Sequence, residues 1–161
     1  MEQIAIRRME PGDYPRVIEV YHSNPQFLRH HLDMDAVDAA FLREEASSME
    51  QMGFLSSVIV DREDQMVQGI LEYKPGREVY LSLFMLARAW QGRGKGREIY
   101  FRFEQEMRRQ GSTSIRIDVV QDYPDHVGPF WEGLGFRAAD TVRLSWGEKT
   151  SRAVVMRKPL L

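Results

Sequence analysis

The stretch that decides the fold is Leu86-Ala87-Arg88-Ala89-Trp90-Gln91-Gly92-Arg93-Gly94-Lys95-Gly96-Arg97, where three glycines alternate with two cations and a third cation follows. It lies between the apolar run Val79 to Leu86 and a segment in which Ile99, Phe103 and Met107 recur at helical spacing. An almost continuously apolar run is typical of a strand covered on both faces of a sheet. The pattern therefore predicts a central strand, a glycine-rich turn and an amphipathic helix.

The glycine-rich turn predicts an anion site. Glycine lets the backbone approach a ligand closely, and the first N–H groups of the following helix have no intrahelical partner. These N–H groups lie at the positive end of the helix dipole, where they can bind a pyrophosphate. The spacing matches neither a P-loop nor a dinucleotide-binding fingerprint, because residues 97 and 99 are Arg and Ile. The alternative interpretation is a flexible turn whose cations only face solvent.

The elements around this turn predict a mixed α/β (α+β) sheet in a single domain, residues 1–161. Upstream we expect a strand at 3–8, a helix through Val17 and Tyr21, a second helix at 35–52, and a hairpin. Its arms are 57–60 and 66–73. Downstream, the helix ends at Gly111, followed by a strand at 114–120, a short helix at 126–134, and strands at 136–146 and 151–156. The predicted order is β-α-α-β-β-β-α-β-α-β-β.

Composition excludes several classes of protein. The 161 residues carry a net charge of −2 with a pI of about 6.1, which argues against a nucleic-acid partner. The absence of cysteine excludes disulfides, thiolate metal sites and a cysteine nucleophile. No segment approaches the roughly 20 apolar residues that span a bilayer, and the N-terminus lacks a signal-peptide run. We therefore expect a cytoplasmic protein with no membrane partner.

Two segments resemble the GNAT superfamily of N-acetyltransferases. Gln91 to Gly96 is similar to the signature Gln/Arg-x-x-Gly-x-Gly/Ala, and Phe130 to Phe136 is similar to Phe-Tyr-x-x-Leu-Gly-Phe. The predicted order of elements also resembles that family along nearly the whole chain. The resemblance implies a mostly antiparallel central sheet of six or seven strands flanked by about four helices. It also implies transfer of an acetyl group from acetyl-coenzyme A to a primary amine of a small molecule or a protein, without a metal.

The resemblance also implies which residues hold the cofactor. The loop binds the pyrophosphate, the preceding strand binds the pantetheine arm through its backbone, and Trp131 packs on that arm or hydrogen-bonds the sulfur. A plain core aromatic is the alternative for Trp131. The implied cofactor-binding residues other than Trp131 are Met85, Leu86, Ala87, Gln91, Gly92, Arg93, Gly94, Lys95, Gly96 and Arg97.

Two positions depart from the family pattern. Pro124 stands where many members carry a cofactor-binding Asn, and Trp131 stands where many carry a Tyr that protonates the departing thiolate. Indole N–H is a donor but not a useful acid, so Tyr123 or water must supply this proton, or the step needs no acid. An alternative function is therefore a catalytically weak or inactive acyl-coenzyme A sensor of the same fold. A longer acyl donor or an oxygen-ester product is a third possibility.

Acetyl transfer to nitrogen requires a neutral amine, and a general base removes the extra proton. Glu72, near the end of the third predicted strand, and Asp118, in the middle of the fifth, are the candidate bases. The alternative for each is an ordinary solvated or ion-paired carboxylate.

The acceptor site is predicted around the first two helices and the second motif. Tyr21 and Phe27 are candidates for its wall, and His126 for its lining, with core packing or surface exposure as the alternatives. The hairpin at 136–156 is a candidate surface for a homodimer.

Overall fold

A seven-stranded sheet forms the middle layer of the protein. The computed structural model describes residues 3–120, 128–146 and 149–160. Its strands are β1 (Ile4–Arg8), β2 (Leu55–Asp61), β3 (Met66–Lys74), β4 (Glu78–Leu86), β5 (Ser114–Val120), β6 (Arg137–Trp146) and β7 (Lys149–Pro159). The spatial order is β1-β2-β3-β4-β5-β7-β6, and every neighbouring pair is antiparallel except β4 and β5. The predicted mixed, mostly antiparallel sheet with a central β4 is confirmed.

Helices cover both faces of the sheet. They are α1 (Tyr14–His22), α2 (Pro25–Phe27), α3 (Ala39–Gln51), α4 (Lys95–Arg109) and α5 (Gly128–Gly133). One core cluster contains buried residues of α1 and α3 with β2 and β3, including Val17, Leu42 and Ile70. The other contains residues of α4 and α5, including Phe103 and Trp131. Burial on both faces explains why β3 and β4 are rich in apolar residues.

One predicted boundary, at the start of the helix α3, was wrong. The helix expected at 35–52 begins only at Ala39, because the Asp38 side chain accepts the backbone N–H of Phe41 and caps it there. Between α1 and α3 the sequence predicts no further helix, but Pro25 begins the short α2, in whose first turn a missing N–H costs nothing. A turn of π-helix, Leu28–Leu32, follows directly.

The parallel strands β4 and β5 separate along their length. Within the described strands they pair only at Glu78–Tyr80 with Ser114–Arg116. Beyond Tyr80 the two strands diverge, so the backbone edges that face each other are not joined by sheet hydrogen bonds. The register of β3 against β4 also shifts between Glu72 and Tyr73, which leaves Ser82 without an opposite residue. This combination opens a cleft in the middle of the sheet.

In the part of the chain that the structure describes, no helix has the length and apolar character needed to cross a membrane.

Candidate active site

A cavity of about 620 Å³ occupies the cleft between β4 and β5. It begins at the glycine-rich loop and extends along β4 toward the point where the two strands meet. Its volume is within the range of small-molecule and cofactor sites. The residues that line it are Asn24, Gln26, Phe27, His31, Leu81, Ser82, Leu83, Phe84, Met85, Leu86, Arg88, Gln91, Gly92, Gly94, Gly96, Arg97, Ile117, Asp118, Val119, Phe130 and Trp131.

The loop has the backbone geometry that its glycines predict. Gly92 and Gly94 have φ angles of +74° and +75°, in the left-handed region that favours glycine. A Cβ atom built on either residue would meet nothing within 4 Å, so their surfaces are open. The first backbone N–H that α4 itself satisfies is that of Glu98, which donates to the Gly94 carbonyl at 3.2 Å. The preceding N–H groups have no partner within α4, and Gly94, Gly96 and Arg97 line the cavity, as an anion site requires.

The cations around the loop divide into two groups. Arg97 lines the cavity, donates to the Gly133 carbonyl at 3.3 Å and stacks on Phe101. Arg88 also lines the cavity and was missed in the sequence, because it lies outside the glycine motif. The predicted ligands Arg93 and Lys95 lie outside the cavity lining, and the Lys95 ammonium lies over the Trp90 ring.

Gln91 does not direct its side chain toward a phosphate. Its amide Nε2 donates to the Leu86 carbonyl at 2.9 Å and to Asn24 Oδ1 at 2.7 Å. Asn24 Nδ2 in turn donates to the same Leu86 carbonyl at 3.0 Å and to the Val20 carbonyl at 3.0 Å. The two carboxamides therefore join the end of α1, the end of β4 and the start of the loop. Asn24 was missed in the sequence, since no motif distinguishes it.

The backbone of β4 offers its polar groups to the cleft at alternate residues. The Ala87 N–H donates to the Gln68 carbonyl at 2.8 Å, so this group faces β3 rather than the cleft. Backbone polar groups of successive strand residues point to opposite edges, which directs those of Phe84 and Leu86 toward β5. The Leu86 carbonyl already has two donors, and its N–H remains on the cleft side. Of the three predicted pantetheine contacts, Met85 and Leu86 line the cavity and Ala87 does not.

Trp131 is both a core residue and part of the cavity wall. It is only 8% exposed, and its ring lies 5.1–6.0 Å from the rings of Phe84, Tyr100, Phe130 and Phe136. The α5 segment that carries it ends in a turn at Gly135, whose φ is +103°. The position that resembles a family acid is therefore filled by a tightly packed indole.

Glu72 is a buried carboxylate on the face of the sheet that α3 covers. It is 5% exposed, and Ser56 Oγ donates to it at 2.9 Å. Burial, followed by the charge of Glu45, raises the pKa of Glu72 from 4.5 to about 7. Glu72 does not line the cavity, but Leu83, directly opposite on β4, does. Side chains in such pairs have Cβ atoms about 5 Å apart, which puts Glu72 next to the cavity wall.

Asp118 lines the cavity but its carboxylate is fully engaged. Its side chain is 3% exposed, and both oxygens accept bonds from the Arg116 guanidinium at 2.9 and 3.0 Å. The Tyr80 hydroxyl donates to Oδ2 at 2.7 Å. Asp118 therefore has the contacts of a structural ion pair.

One side of the cavity is made by α2 and the π-helical turn, Leu28–Leu32. Phe27 stacks on His31 with ring centroids 4.6 Å apart, and both line the cavity. Tyr21 is 3% exposed and packs behind Phe27 at 6.2 Å without lining the cavity. Burial and then the charges of Glu72 and Glu45 raise the pKa of Tyr21 well above its ordinary value, which keeps the phenol neutral.

Gln26 contributes the one orphaned polar atom within the described ranges. Its Oε1 is buried without a hydrogen-bond partner, and the residue lines the cavity. An unsatisfied buried acceptor costs about 1–3 kcal/mol and is the kind of group that a ligand satisfies. No sequence pattern identifies this oxygen, because whether it lacks a hydrogen-bond partner depends on the residues around it in the folded protein.

Three residues discussed from the sequence, Tyr123, Pro124 and His126, lie outside the described residues, so the roles of Tyr123 and His126 stay predictions. Among the residues that the structure does describe, no group of three or more His, Asp or Glu side chains is arranged to hold a metal ion.

Solved structures share this fold over almost their whole length. An acetyltransferase from Thermus thermophilus is 20% identical and superposes with a TM-score of 0.78, covering 98% of this chain and 97% of its own. Spermidine N-acetyltransferase from Vibrio cholerae, in complex with CoA and spermine, is 16% identical with a TM-score of 0.76 and coverages of 98% and 96%. The ribosomal-protein-S18-alanine N-acetyltransferase from Escherichia coli is 15% identical with a TM-score of 0.69 and coverages of 98% and 94%.

No curated protein matches the sequence significantly. The model of the acetyltransferase (GNAT) domain matches residues 29–160, which is most of the chain and includes both motifs. This match agrees with two features of the structure, which are the sheet whose parallel strands separate and the glycine loop before α4. The chain therefore belongs to the GNAT acetyltransferase family.

Proposed function

We propose that this protein transfers the acetyl group of acetyl-coenzyme A to a primary amine by direct attack of the amine on the thioester. The observation that carries the proposal is the continuity of one cavity. It joins open N–H groups at the start of α4, the free edge of β4, and a wall containing an orphaned hydrogen-bond acceptor.

Coenzyme A would lie along this cavity with its pyrophosphate at the loop. The N–H groups from Lys95 to Arg97 would hold the phosphate oxygens, with Arg88 and Arg97 as the nearest cations of the lining. The pantetheine arm would follow the edge of β4, where Phe84 and Leu86 present backbone groups to the cleft. Trp131 and Phe84 would exclude water from the thioester end.

Glu72 is the base that we propose for the amine. A lysine-like amine of pKa about 10.4 carries an extra proton at pH 7, and its removal costs about 4.6 kcal/mol at 1.36 kcal/mol per unit. A carboxylate with a pKa of about 7 is half ionised at that pH and accepts a proton more readily than an ordinary one. Since Leu83 lies between Glu72 and the cavity, the proton would pass through a water molecule. Asp118 would position Arg116 and Tyr80 instead.

The reaction then needs three events. The amine nitrogen bonds to the thioester carbon, a backbone N–H of β4 stabilises the oxyanion, and the carbon–sulfur bond breaks. Glu72 takes the first of the two protons that the ammonium group loses, and the neutral amine then attacks. The second proton leaves the nitrogen for solvent as the amide forms, and the coenzyme A thiolate takes one from water or, as predicted from the sequence, from Tyr123, which solvent reprotonates.

The acceptor would enter beside Phe27 and His31, with one of its N–H groups donated to Gln26 Oε1. An amine that carries a second N–H donor satisfies this oxygen while its reacting nitrogen faces the thioester. Structural neighbours include enzymes named for spermidine and for an alanine of a ribosomal protein, so both a small-molecule and a protein acceptor fit the fold.

The test is a panel of amines with acetyl-coenzyme A, followed by a thiol reagent. Because the chain contains no cysteine, the reagent detects only released coenzyme A. We expect thiol release that depends on the amine and saturates with it, and that falls at least tenfold in Gln26→Leu for the best acceptor. The matched control is Gln51→Leu, on the outside of α3. Release that is independent of every amine would refute amine transfer.

Because Trp131 stands where many family members carry a Tyr, the same experiment also tests a second function. A family member without the usual phenol can bind acyl-coenzyme A as a sensor. In that case, acetyl-coenzyme A would stabilise the protein while the amine panel gave no turnover.

A further inference from the structure

A second cavity, of about 680 Å³, lies beside the C-terminal half of α4, away from the glycine loop. Its floor is the face of β1, β2 and β3 that α4 leaves uncovered, and its wall is α4 itself. We call it the arginine groove. Its lining is Ile6, Arg7, Arg8, Leu55, Ser57, Tyr73, Arg102, Phe103, Gln105, Glu106, Met107, Arg109 and Gln110.

The floor of the arginine groove is apolar. Ile6, Leu55 and Tyr73 are each only partly buried, and Tyr73 packs edge-on against Phe103 with ring centroids 5.0 Å apart. A concave cavity of this volume with an apolar floor fits the body of a small molecule better than it fits a flat protein surface.

The rim carries an excess of positive charge. Four arginines line the groove against one carboxylate, Glu106, while the whole chain carries a net charge of −2. For two of these arginines the structure describes the ion pair. The Arg7 guanidinium donates to both oxygens of Asp13 at 2.8 and 2.9 Å, and that of Arg109 donates to Glu106 at 2.5 and 2.7 Å. The clustering of arginines is therefore specific to the arginine groove and does not follow from the overall composition of the chain.

Arg8 is the cation best placed to hold a ligand. It is exposed on β1 and lines the same groove as Tyr73. Burial and then the charge of Glu106 keep the pKa of the Tyr73 phenol above its usual value, although the charge of Arg8 acts in the opposite sense, so the phenol remains a donor. Arg109, by contrast, lies in the last turn of α4, where its charge also offsets the negative end of the helix dipole.

We propose that the arginine groove binds a small amphipathic anion, a carboxylate or phosphate on an apolar body. The anion is held by Arg8 and the Tyr73 hydroxyl, and the body lies on Ile6 and Leu55. Such a ligand occupies the protein together with coenzyme A, because the first α4 residue of the groove, Arg102, lies about 12 Å along the helix from Gly94 at 1.5 Å per residue.

The test uses the full chain, labelled with ¹⁵N and saturated with one equivalent of coenzyme A. It is titrated separately with octanoate, octyl phosphate, octanol and octylamine. We expect saturable shifts for the two anions at the amides of Ile6, Ser57, Tyr73 and the last two turns of α4, with residues 92–97 unaffected. The same shifts are expected without coenzyme A, so the result does not depend on acetyl transfer. The relative affinities of octanoate and octyl phosphate distinguish a carboxylate ligand from a phosphate ligand.

Three variants complete the test. Arg8→Ala should weaken both anions about tenfold, which is about 1.4 kcal/mol, while Arg8→Lys keeps most of the affinity. Arg62→Ala, an exposed arginine on the turn between β2 and β3, is the matched control and should change nothing. The proposal is wrong if octylamine binds as tightly as octanoate, if the shifts do not saturate, or if a folded Arg8→Ala protein binds both anions like the parent.

Discussion

Replacing Glu72 by Gln should make the protein more stable at alkaline pH while it impairs catalysis. The unfolded chain loses the Glu72 proton near pH 4.5, whereas the folded protein holds it until the pKa of about 7. A raised folded pKa means that stability falls as pH rises through this window. The full cost above pH 7 is about 3 kcal/mol at 1.36 kcal/mol per unit. Gln keeps an oxygen for the Ser56 hydroxyl but carries no charge, so the variant avoids this cost.

The assay is urea unfolding of the parent and of Glu72→Gln at pH 5 and pH 8. We expect the variant to be about 1 kcal/mol more stable at pH 5 and about 3 kcal/mol more stable at pH 8, where its Tm should be about 6–12 °C higher. In the acetylation assay, the kcat/KM of the same variant should fall about 100-fold or more. The acidic limb of its pH profile, the decline in rate below about pH 7, should also disappear. Glu50→Gln, an exposed carboxylate of α3, is the control and should shift stability by less than about 0.5 kcal/mol. A stability difference that is equal at both pH values would refute the raised pKa, and unchanged turnover would refute the role as base.

Three further variants test the rest of the site. Gly94→Ala, at φ +75°, should cost about 1–2 kcal/mol of stability and weaken coenzyme A at least tenfold; retained affinity in calorimetry would mean that the loop does not hold the cofactor. Asp118→Asn should lower the stability of the protein by about 3 kcal/mol, because it breaks a buried ion pair. The variant should keep the acidic limb of its pH–rate profile, and loss of that limb would make Asp118 the base. Asn24→Ala should raise the KM for acetyl-coenzyme A severalfold, because it removes one of the two donors to the Leu86 carbonyl and one of the two acceptors of the Gln91 amide. An unchanged KM would mean that these contacts are not needed to position the loop.

The features that could be predicted from sequence are those that depend on local pattern. The apolar run of β4, the left-handed glycines at 92 and 94 and the helical spacing of α4 each follow from backbone and solvent physics. The predicted order of strands was confirmed for the same reason. The start of α3 was missed because a single cap at Asp38 decided it.

The rest of the site depends on contacts between distant segments. The sequence leaves open whether Asp118 is a base or an ion-paired carboxylate, and only the fold brings the Tyr80 hydroxyl, 38 residues away, to its oxygen. Gln91 is part of the motif, but its bond to Asn24 joins positions 67 residues apart. The orphaned oxygen of Gln26 can be recognised only when its whole surroundings are known.

The most direct test of the account is the stability of the protein with coenzyme A, acetyl-coenzyme A and pantetheine. At about 100 times its dissociation constant, each form of coenzyme A should add about 2.7 kcal/mol, or about 5–11 °C in Tm. Pantetheine lacks the pyrophosphate and should add little at the same concentration, and Gly94→Val should abolish the effect of both coenzymes. If neither form of coenzyme A stabilises the parent, the assignment of the loop before α4 as a pyrophosphate site is wrong, and the proposed acetyl transfer is wrong with it.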